Sequence, residues 1–572
     1  MADSAPRLPD RPSLEQLRKQ AKDLLRALRD GDAAAATRLT AHKPAVVEPI
    51  LSDAQYVLAR EYGFESWPKL VERVEQLRGD ERATPEDPRT APHGLSTTPP
   101  FYRIDWTTDT IEPRQPMSGA DWDRLFDVAD DLGLTGINAR GLMDDEALAR
   151  LSGLRHVTRI TFDGTKRLTD DGLLHLARMP QLEEIDLSDH PGGRITDRGL
   201  EVLRHLTGLR RFQMCWQGGV SDAGVRHLSS CDKLERVDLL GSPTGDGAID
   251  ALRGKPRLRF LKTGRLVTDA GLRLLHDFPV FKTWQGGEPR YDLMTFGDAE
   301  PNFLMIDGAF TDGGAAGLAG LEGVFGLGFF WHVSALTPDG LKWLRELPNL
   351  GALSCDGGLV DDTGMRHIAA IPRLRLLMAQ GTVATDEGFT SLSRSQTIEY
   401  IWGRECPNLQ GRGFAALSKM PALKGLAVSC KTVDDASLAS LPSFPALTWL
   451  LPMDVPDEGF RHVGRCERLE KLTCMYCRDT GDAATEHIAG LSRLTHYYAG
   501  KTLITDRSLE MLGRMTSLEE VTLSACAWIS DAGLVHIARL PKLRKVAVDA
   551  TARVTRAGIG VFPADVHVDF WT

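Results

Sequence analysis

The sequence predicts an α/β repeat protein, and three recurring features indicate the fold class. The first is a helical phrase, T-D-x-G-L, seen in LTDDGL (168–173), VTDAGL (267–272) and ISDAGL (529–534). The second is an apolar phrase, L-x-x-L-x-L, whose last two apolar positions lie two residues apart. The third is a proline two residues ahead of many of these apolar phrases. Together they define one unit as a strand, a turn, a capped helix and a proline-marked return.

The aspartate of the helical phrase marks 17 copies along the 572 residues, and 14 of them carry Asp. Fifteen of the 16 intervals lie between 22 and 27 residues, and the interval from Asp269 to Asp312 is 43. A fixed period of this length indicates a repeat array rather than the roughly four domains that the length alone would suggest. The marker positions are 145, 170, 197, 222, 246, 269, 312, 338, 362, 386, 411, 435, 457, 482, 506, 531 and 556.

Each element of the unit follows from its residue types and spacing. Thr or Ser followed by Asp stands where a helix N-cap belongs, so we interpret the Asp as part of the cap and not as a set of general acids. In the apolar phrase Leu182, Ile185 and Leu187, the last two residues lie two positions apart, which is the side-chain period of a β-strand. Pro180 and its equivalents disfavour helix in the residue before them, which predicts that each helix ends there.

The unit resembles the leucine-rich repeat, closest to the cysteine-containing subtype, whose turn cysteine is matched by Cys406, Cys477 and Cys526. The resemblance covers roughly residues 120–570. The subtype is familiar from the substrate-receptor part of F-box proteins and from bacterial relatives. No F-box-like segment stands upstream, so a ubiquitin-ligase role does not carry over and we expect the bacterial type. The resemblance implies an α/β solenoid with parallel strands on a concave face, helices outside, and a sheet about 80 Å long.

We expect four regions along the chain. Residues 1–78 read as a small helical domain whose helices begin at Ser13, Ser52 and Ser66, and they resemble a helical segment that precedes ankyrin repeats in bacterial proteins. That resemblance implies no activity. Residues 79–100 contain five prolines and are predicted to be a linker. Residues 101–140 are expected to cap the solenoid, which spans 141–572 with an insertion near 287–301 and a last strand in VHVDFW (566–571).

Composition excludes several function classes. The formal net charge of −10 argues against general nucleic-acid or anionic-membrane binding, and no run of 18 apolar residues suggests a membrane span. The first twelve residues lack the apolar core of a signal peptide, and nine scattered cysteines do not form a disulfide framework. We therefore expect a soluble cytoplasmic protein with neither a nucleic-acid nor a membrane partner.

No motif predicts a cofactor, a metal or a catalytic residue. Six histidines fall five residues after a marker, but only His462 and His487 lie in adjacent repeats, so we interpret the position as a polar helix surface. The Cys474–Cys477 pair fits one strand position and one turn position of the repeat. The glycine-rich run at 313–328 lacks the lysine of a phosphate-binding loop.

The strand positions that should face the concave side change character along the chain. They are polar in early repeats, as at Glu184, Asp186 and Ser188, and become apolar from Leu376 onward. If these later positions were exposed, they would form an apolar patch of several hundred Å², since one large aromatic side chain alone covers about 150–250 Å². Aromatic and Met residues with a few charges are typical of binding hot spots. The predicted partner-binding residues are Met378, Tyr400, Trp402, Arg404, Trp449, Met453, Lys471, Met475, His496 and Tyr498.

The leading hypothesis is recognition of a protein or peptide through this patch. The alternative is small-molecule binding, of a hydrophobic ligand for example, or enzymatic activity in the same pocket, with His496 as acid–base group and Arg404 as anion clamp about 19 Å away at ordinary strand spacing. A scaffold role, with the helical domain recruiting a second partner, also stays open. So does coverage of the patch from within, by the N-terminal helices or by the insertion GEPRYDLMTFGDAEP (287–301), which would project from the solenoid and could act as a lid or a second contact surface.

Overall fold

A computed structural model describes residues 14–29, 32–43, 51–62, 64, 67, 69–70, 101–189, 193–285, 291–293, 302–475 and 477–571. The chain divides into two compact units, Met1–Arg103 and Ile104–Thr572. Among the helices within these ranges, none is both long enough and apolar enough to cross a membrane.

The first unit contains helices Leu14–Arg29, Ala33–His42 and Leu51–Glu61. One buried apolar residue from each, Leu24, Leu39 and Val57, meets in a common cluster, so the helices share a small core. Of the caps predicted there, Ser13 and Ser66 lie outside the described residues, as does the 79–100 linker. The prediction for Ser52 is wrong, because the helix already begins at Leu51.

All strands of the described residues belong to one sheet. From β2 onward each strand pairs in parallel with the next one along the chain. The strands are β1 (Tyr102–Asp105), β2 (Thr110–Pro113), β3 (Gly136–Asn138), β4 (Arg159–Thr161), β5 (Glu184–Asp186), β6 (Arg211–Gln213), β7 (Arg236–Asp238), β8 (Phe260–Lys262), β9 (Phe303–Ile306), β10 (Gly326–Phe329), β11 (Ala352–Ser354), β12 (Leu376–Met378), β13 (Tyr400–Gly403), β14 (Gly425–Ser429), β15 (Trp449–Met453), β16 (Lys471–Cys474), β17 (His496–Gly500), β18 (Glu520–Ser524), β19 (Lys545–Asp549) and β20 (His567–Trp571).

Short helices return the chain between successive strands, and most begin at a marker position. The α-helices are Gly119–Leu132, Asp145–Leu151, Asp170–Leu173, Asp222–Val225, Asp246–Leu252, Asp269–Leu274, Pro279–Lys282, Asp312–Ala316, Asp362–Ala369, Asp386–Leu392, Gly411–Leu417, Asp435–Leu438, Phe460–Val463, Asp482–Ile488, Asp506–Leu512, Asp531–Ile537 and Arg556–Ile559. The 3₁₀ helices are Leu174–Arg178, Gly199–His205, Arg226–Ser230, Leu275–Asp277, Pro338–Glu346, Gly357–Leu359, Leu441–Ser443 and Asp457–Gly459. The fold is a leucine-rich-repeat solenoid.

The repeat aspartate does not cap its own helix, which corrects the interpretation drawn from the sequence. The preceding Thr or Ser does so, as where Thr268 Oγ1 accepts from the Ala270 N–H at 3.2 Å. The aspartate instead binds the cap of the next repeat: Asp246 accepts from the backbone N–H of Thr268 at 2.8 Å and from its hydroxyl at 2.6 Å. We call this series the aspartate ladder. The same pair of bonds joins Asp145 to Thr169, Asp170 to Thr196, Asp197 to Ser221, Asp269 to Thr311, Asp312 to Thr337, Asp362 to Thr385, Asp482 to Thr505, Asp506 to Ser530 and Asp531 to Thr555.

The ladder explains the glycine of the repeat phrase, because a Cβ atom on Gly172 would overlap the carboxylate of Asp145. The ladder is interrupted where Pro338 and Gly411 replace the aspartate. In both places the cap of the next repeat is itself an aspartate, Asp361 or Asp434, whose side chain has no hydroxyl hydrogen to donate to the preceding repeat. A third interruption lies at Pro456, whose nitrogen carries no hydrogen to donate.

Aromatic side chains from separate loops meet at one edge of the sheet. Trp216 follows β6 and Trp331 follows β10, four strands further on, and their ring centroids are 5.7 Å apart. The rings of Phe330 and His332 also lie beside Trp216.

Candidate functional site

The predicted apolar residues are neighbours across the inner face of the sheet. Met378 pairs with Trp402 in register, Trp402 with Ala427, and Ala427 with Leu451. We call the resulting group the apolar cluster. Its buried members are Leu293, Trp402, Ala427, Leu451 and Met453, and its half-buried rim consists of Met378, Tyr400, Trp449 and Met475.

Leu293 belongs to the insertion and not to the strand array, yet its side chain is fully buried in the apolar cluster. Two residues earlier, the Tyr291 hydroxyl accepts a hydrogen bond from the Arg375 guanidinium at 2.8 Å and donates to the Glu399 carboxylate at 3.2 Å. The Tyr291 ring packs edge-on against Tyr400, with centroids 6.0 Å apart. The expected projection of the insertion is therefore wrong for 291–293, which fold back onto the inner face.

This coverage divides the predicted contact residues into a floor and a rim. Trp402 is 8% exposed and Met453 is 1% exposed, so neither lies open to solvent as the sequence suggested. The physical reason is packing: both residues belong to one buried cluster with Leu293, Ala427 and Leu451. Among the described residues, the buried indole N–H of Trp402 has no hydrogen-bond acceptor, which is unfavourable for a buried donor.

The predicted polar residues lie around the cluster, each with partners of its own. The Lys471 ammonium stands 4.6 Å above the Trp449 ring, and the Trp449 indole donates to Thr473 at 3.0 Å. Arg404 pairs with Glu405 at 3.2 Å and lines a pocket of about 430 Å³ that also reaches Met453.

His496 lies within 3.3 Å of the Glu520 carboxylate and within 2.8 Å of the Thr495 hydroxyl. Arg404 directly follows β13 and His496 begins β17, four strands away, so the acid–base group and the anion clamp considered from the sequence lie on strands that are not adjacent. Tyr498 is half-buried, and its ring covers Gly500 at the end of β17.

A second, polar cavity occupies the inner face of the N-terminal half. It has a volume of about 710 Å³ and is lined by residues of β2 to β8. Most of its charges are neutralised in place: Arg211 pairs with Glu184 at 3.5 Å, and Lys262 pairs with Asp238 at 3.1 Å. Sequence reasoning noted this surface as polar and assigned it no role.

No protein-family model matches the chain, and no curated protein matches it. Among solved structures, it is similar to an internalin from Listeria monocytogenes, at 15% identity over 71% of this chain and 89% of that one, with a TM-score of 0.29. It is also similar to the yeast Rad7–Elc1 complex (14%, 79% and 88%, TM-score 0.32) and to the mouse RP105/MD-1 complex (15%, 73% and 78%, TM-score 0.37). Similarity at this level concerns the fold alone.

The cysteines are packing residues. All nine are free, and Cys474 and Cys477 are buried. Hydrogen bonding to Cys477, together with burial, raises the pKa of Cys474 well above its usual value, which opposes formation of a reactive thiolate. Within the described ranges, no three His, Cys, Asp or Glu side chains are grouped so as to hold a metal ion. His462, expected on the helix surface, is 5% exposed and contacts Asp435.

The sequence left open that the insertion at 287–301 covers the patch, as residues 291–293 do, but it did not single out Tyr291 and Leu293 as parts of the site. Their contacts span about a hundred residues or more of chain, as between Tyr291 and Glu399, and nothing in the repeat period indicates them. The signal in the sequence was the group of large apolar residues within the insertion, because a solvent-exposed loop rarely carries several of them.

Proposed function

We propose that the concave face of the solenoid recognises a protein or peptide, with the apolar cluster and its rim as the contact surface. The observation that carries this proposal is the burial of Leu293. A side chain from outside the strand array occupies the cluster, so this part of the sheet has the shape and polarity to bind an aliphatic residue of a second segment.

The surroundings of Leu293 support the same conclusion. Trp449 and Tyr400 remain half-buried at the rim, and large aromatic side chains dominate the energetics of protein interfaces. In this proposal Trp402 and Met453 form the floor, and Met378, Tyr400, Trp449, Met475 and Tyr498 make the side contacts.

Charged groups at the margin would orient the partner. Arg404, Lys471 and His496 lie beside the cluster on β13, β16 and β17 or their loops. Charges at the rim of an interface contribute more to orientation and association rate than to affinity. A partner with carboxylates flanking its aliphatic residue therefore fits this surface best.

The test is selection of binding peptides from a random displayed library, followed by affinity measurement on the full chain. We expect the selected peptides to carry a Leu, Ile or Met residue with an aromatic neighbour, as Tyr291 and Leu293 are arranged in the chain. Replacing a half-buried interface Trp by a charge should weaken binding by roughly thirtyfold or more, so Trp449→Asp is the test variant.

Trp528→Asp is the matched control, because Trp528 is 54% exposed and lies outside the apolar cluster. Circular dichroism establishes that both variants are folded. Equal affinity of the selected peptides for wild type and the Trp449 variant would exclude the apolar cluster as the contact surface. Selection of peptides without any apolar residue would do the same.

A further inference from the structure

A row of oxygen-bearing side chains crosses the floor of the polar cavity. In register, Asn138 pairs with Thr161, Thr161 with Asp186, Asp186 with Gln213, and Gln213 with Asp238. These residues occupy five adjacent parallel strands, β3 to β7, so their side chains recur at about 4.8 Å. The cavity thus presents an unbroken line of hydrogen-bond acceptors.

Asp186 is the acid in this row that has no cation of its own. Its carboxylate accepts from the Ser188 N–H at 2.8 Å, and no Lys, Arg or His among the described residues lies within ion-pair distance. Asp238, two strands away, is paired with Lys262, and Glu184 is paired with Arg211. One negative charge on the cavity floor is left uncompensated.

The electrostatics of Asp186 agree with this geometry. Burial raises the pKa of Asp186, and the nearby carboxylates of Asp238 and Asp163 raise it further, against the lowering effect of the hydrogen bonds from Ser188. A half-buried carboxylate held among like charges is unfavourable in the empty protein. A cation bound beside it would relieve that cost.

We propose that this cavity binds a ligand through an ammonium or guanidinium group, with Asp186 as the counter-charge and Thr161 and Gln213 as flanking acceptors. The volume of about 710 Å³ admits more than a single side chain. The chemistry is shared by the basic side chain of a peptide and by a linear polyamine. This site is separate from the apolar cluster and does not depend on the function proposed for it.

The arrangement of the opposite charges adds a direction. Arg211 and Arg236 lie two residues before Gln213 and Asp238 on the same strands, and Arg211 is paired with Glu184 at that edge of the cavity. The Arg236 guanidinium lies 3.9 Å from the centre of the Phe260 ring. The cation of a ligand would therefore be directed to the floor, beside Asp186.

Calorimetric titration of the full chain tests the proposal. The probes are acetylated and amidated pentapeptides Gly-Gly-X-Gly-Gly with Lys, Arg or norleucine at X, and spermidine. We expect at least one cationic probe to bind at least tenfold more tightly than the uncharged norleucine peptide. Tighter binding of the peptides would identify a basic peptide as the source of the cation, and tighter binding of spermidine would identify a polyamine.

Asp186→Asn should weaken the cationic probe at least tenfold, and Gln213→Ala, at an exposed side chain, should weaken it by a smaller factor. Asp569→Asn is the matched control: Asp569 occupies the equivalent strand position on β20 but is already paired with Lys545 at 3.0 Å. The proposal is overturned if no cationic probe outcompetes the norleucine peptide, or if Asp186→Asn binds the cation as wild type does. Measuring Gln213→Ala keeps the test decisive should Asp186→Asn fold poorly.

Discussion

The two halves of the inner face are built on one repeat but are held together differently. Beneath the polar cavity, the aspartate ladder runs without a break from Asp145 to Thr337. It is first interrupted at Pro338, between β10 and β11, and twice more beside the apolar cluster, at Gly411 and Pro456. There the inner strand positions pack on one another and on Leu293 instead.

The difference shows that a repeat can be joined to its neighbour from either side of the sheet. The complete ladder backs two kinds of inner surface: the charged positions around Asp186 on β5, and the packed apolar residues Phe260 and Phe303 on β8 and β9. In the apolar cluster, burial of the inner side chains stabilises the array, and the ladder hydrogen bonds beside it are missing at Gly411 and Pro456.

The largest expected effect tests whether both halves of the sheet depend on the aspartate ladder. Gly172→Ala and Gly388→Ala each place a Cβ against the ladder carboxylate of the preceding repeat, Asp145 or Asp362. We expect each to lower the free energy of unfolding by about 3 kcal/mol, as overpacking combined with lost hydrogen bonds does. Urea denaturation measures this.

Gly490→Ala is the control for these variants, since a Cβ there meets nothing within 4 Å. It should leave the midpoint of denaturation unchanged. If Gly388→Ala were as harmless as the control while Gly172→Ala was not, the apolar half would not rely on the ladder even where its hydrogen bonds are present.

A smaller effect is expected when the apolar cluster on the inner face loses the side chain that covers it. Leu293→Ala removes most of a fully buried side chain from the apolar cluster and should cost about 2 kcal/mol of local stability. Solvent would reach Trp402, so the tryptophan emission should shift to longer wavelength. Leu503→Ala, at a residue that is 49% exposed, should cause no shift. An unchanged emission spectrum in Leu293→Ala would mean that Leu293 does not shield Trp402 from solvent.

The smallest expected effect concerns two aspartates at equivalent strand positions and opposite ends of the sheet. Burial raises the pKa of Asp186, with Asp238 and Asp163 acting in the same direction, so its contribution to stability is present at low pH and lost as pH rises through the folded-state pKa. At neutral pH the ionised group is therefore destabilising. Asp186→Asn should stabilise the protein there by less than about 1 kcal/mol.

Asp569 should behave in the opposite way. Burial alone would raise its pKa, but hydrogen bonding to Lys545 and the charges of Lys545 and His567 hold the pKa below its ordinary value. Its contribution is then present at neutral pH and lost as pH falls through the folded-state pKa. Asp569→Asn should destabilise the protein at neutral pH by about 0.5 kcal/mol. Unfolding curves at neutral and acidic pH would show whether the two variants differ in sign.

The repeat made much of the solenoid predictable. Strand alternation, Thr and Ser caps and the parallel order of the sheet follow from spacing within about 25 residues, and the structure bears out the α/β fold class. The role of the repeat aspartate was assigned to the wrong helix because its partner lies one repeat away, as Thr268 does for Asp246. The neighbours of Trp402 and Met453 across the strands were also predictable, since register follows from the period.

Two long-range contacts were not predictable in the same way. The sequence left open that the insertion covers the patch, but the contact of Leu293 with the cluster joins residues far apart in sequence, which no local propensity encodes. The approach of Trp216 to Trp331 joins loops four strands apart and lies outside the local pattern for the same reason. The uncompensated charge of Asp186 could be recognised only after the partners of Asp238 and Glu184 were known.

The aspartate ladder also determines how the solenoid should come apart. Repeats joined by the ladder form three blocks, from Asp145 to Thr337, from Asp362 to Gln410, and from Asp457 to Thr555. An array of this kind behaves as a one-dimensional chain with unequal couplings, so opening should begin at the weak junctions and stop at the next strong one. The apolar cluster spans the junctions at Gly411 and Pro456, so its packing joins the second block to the third where the ladder is missing.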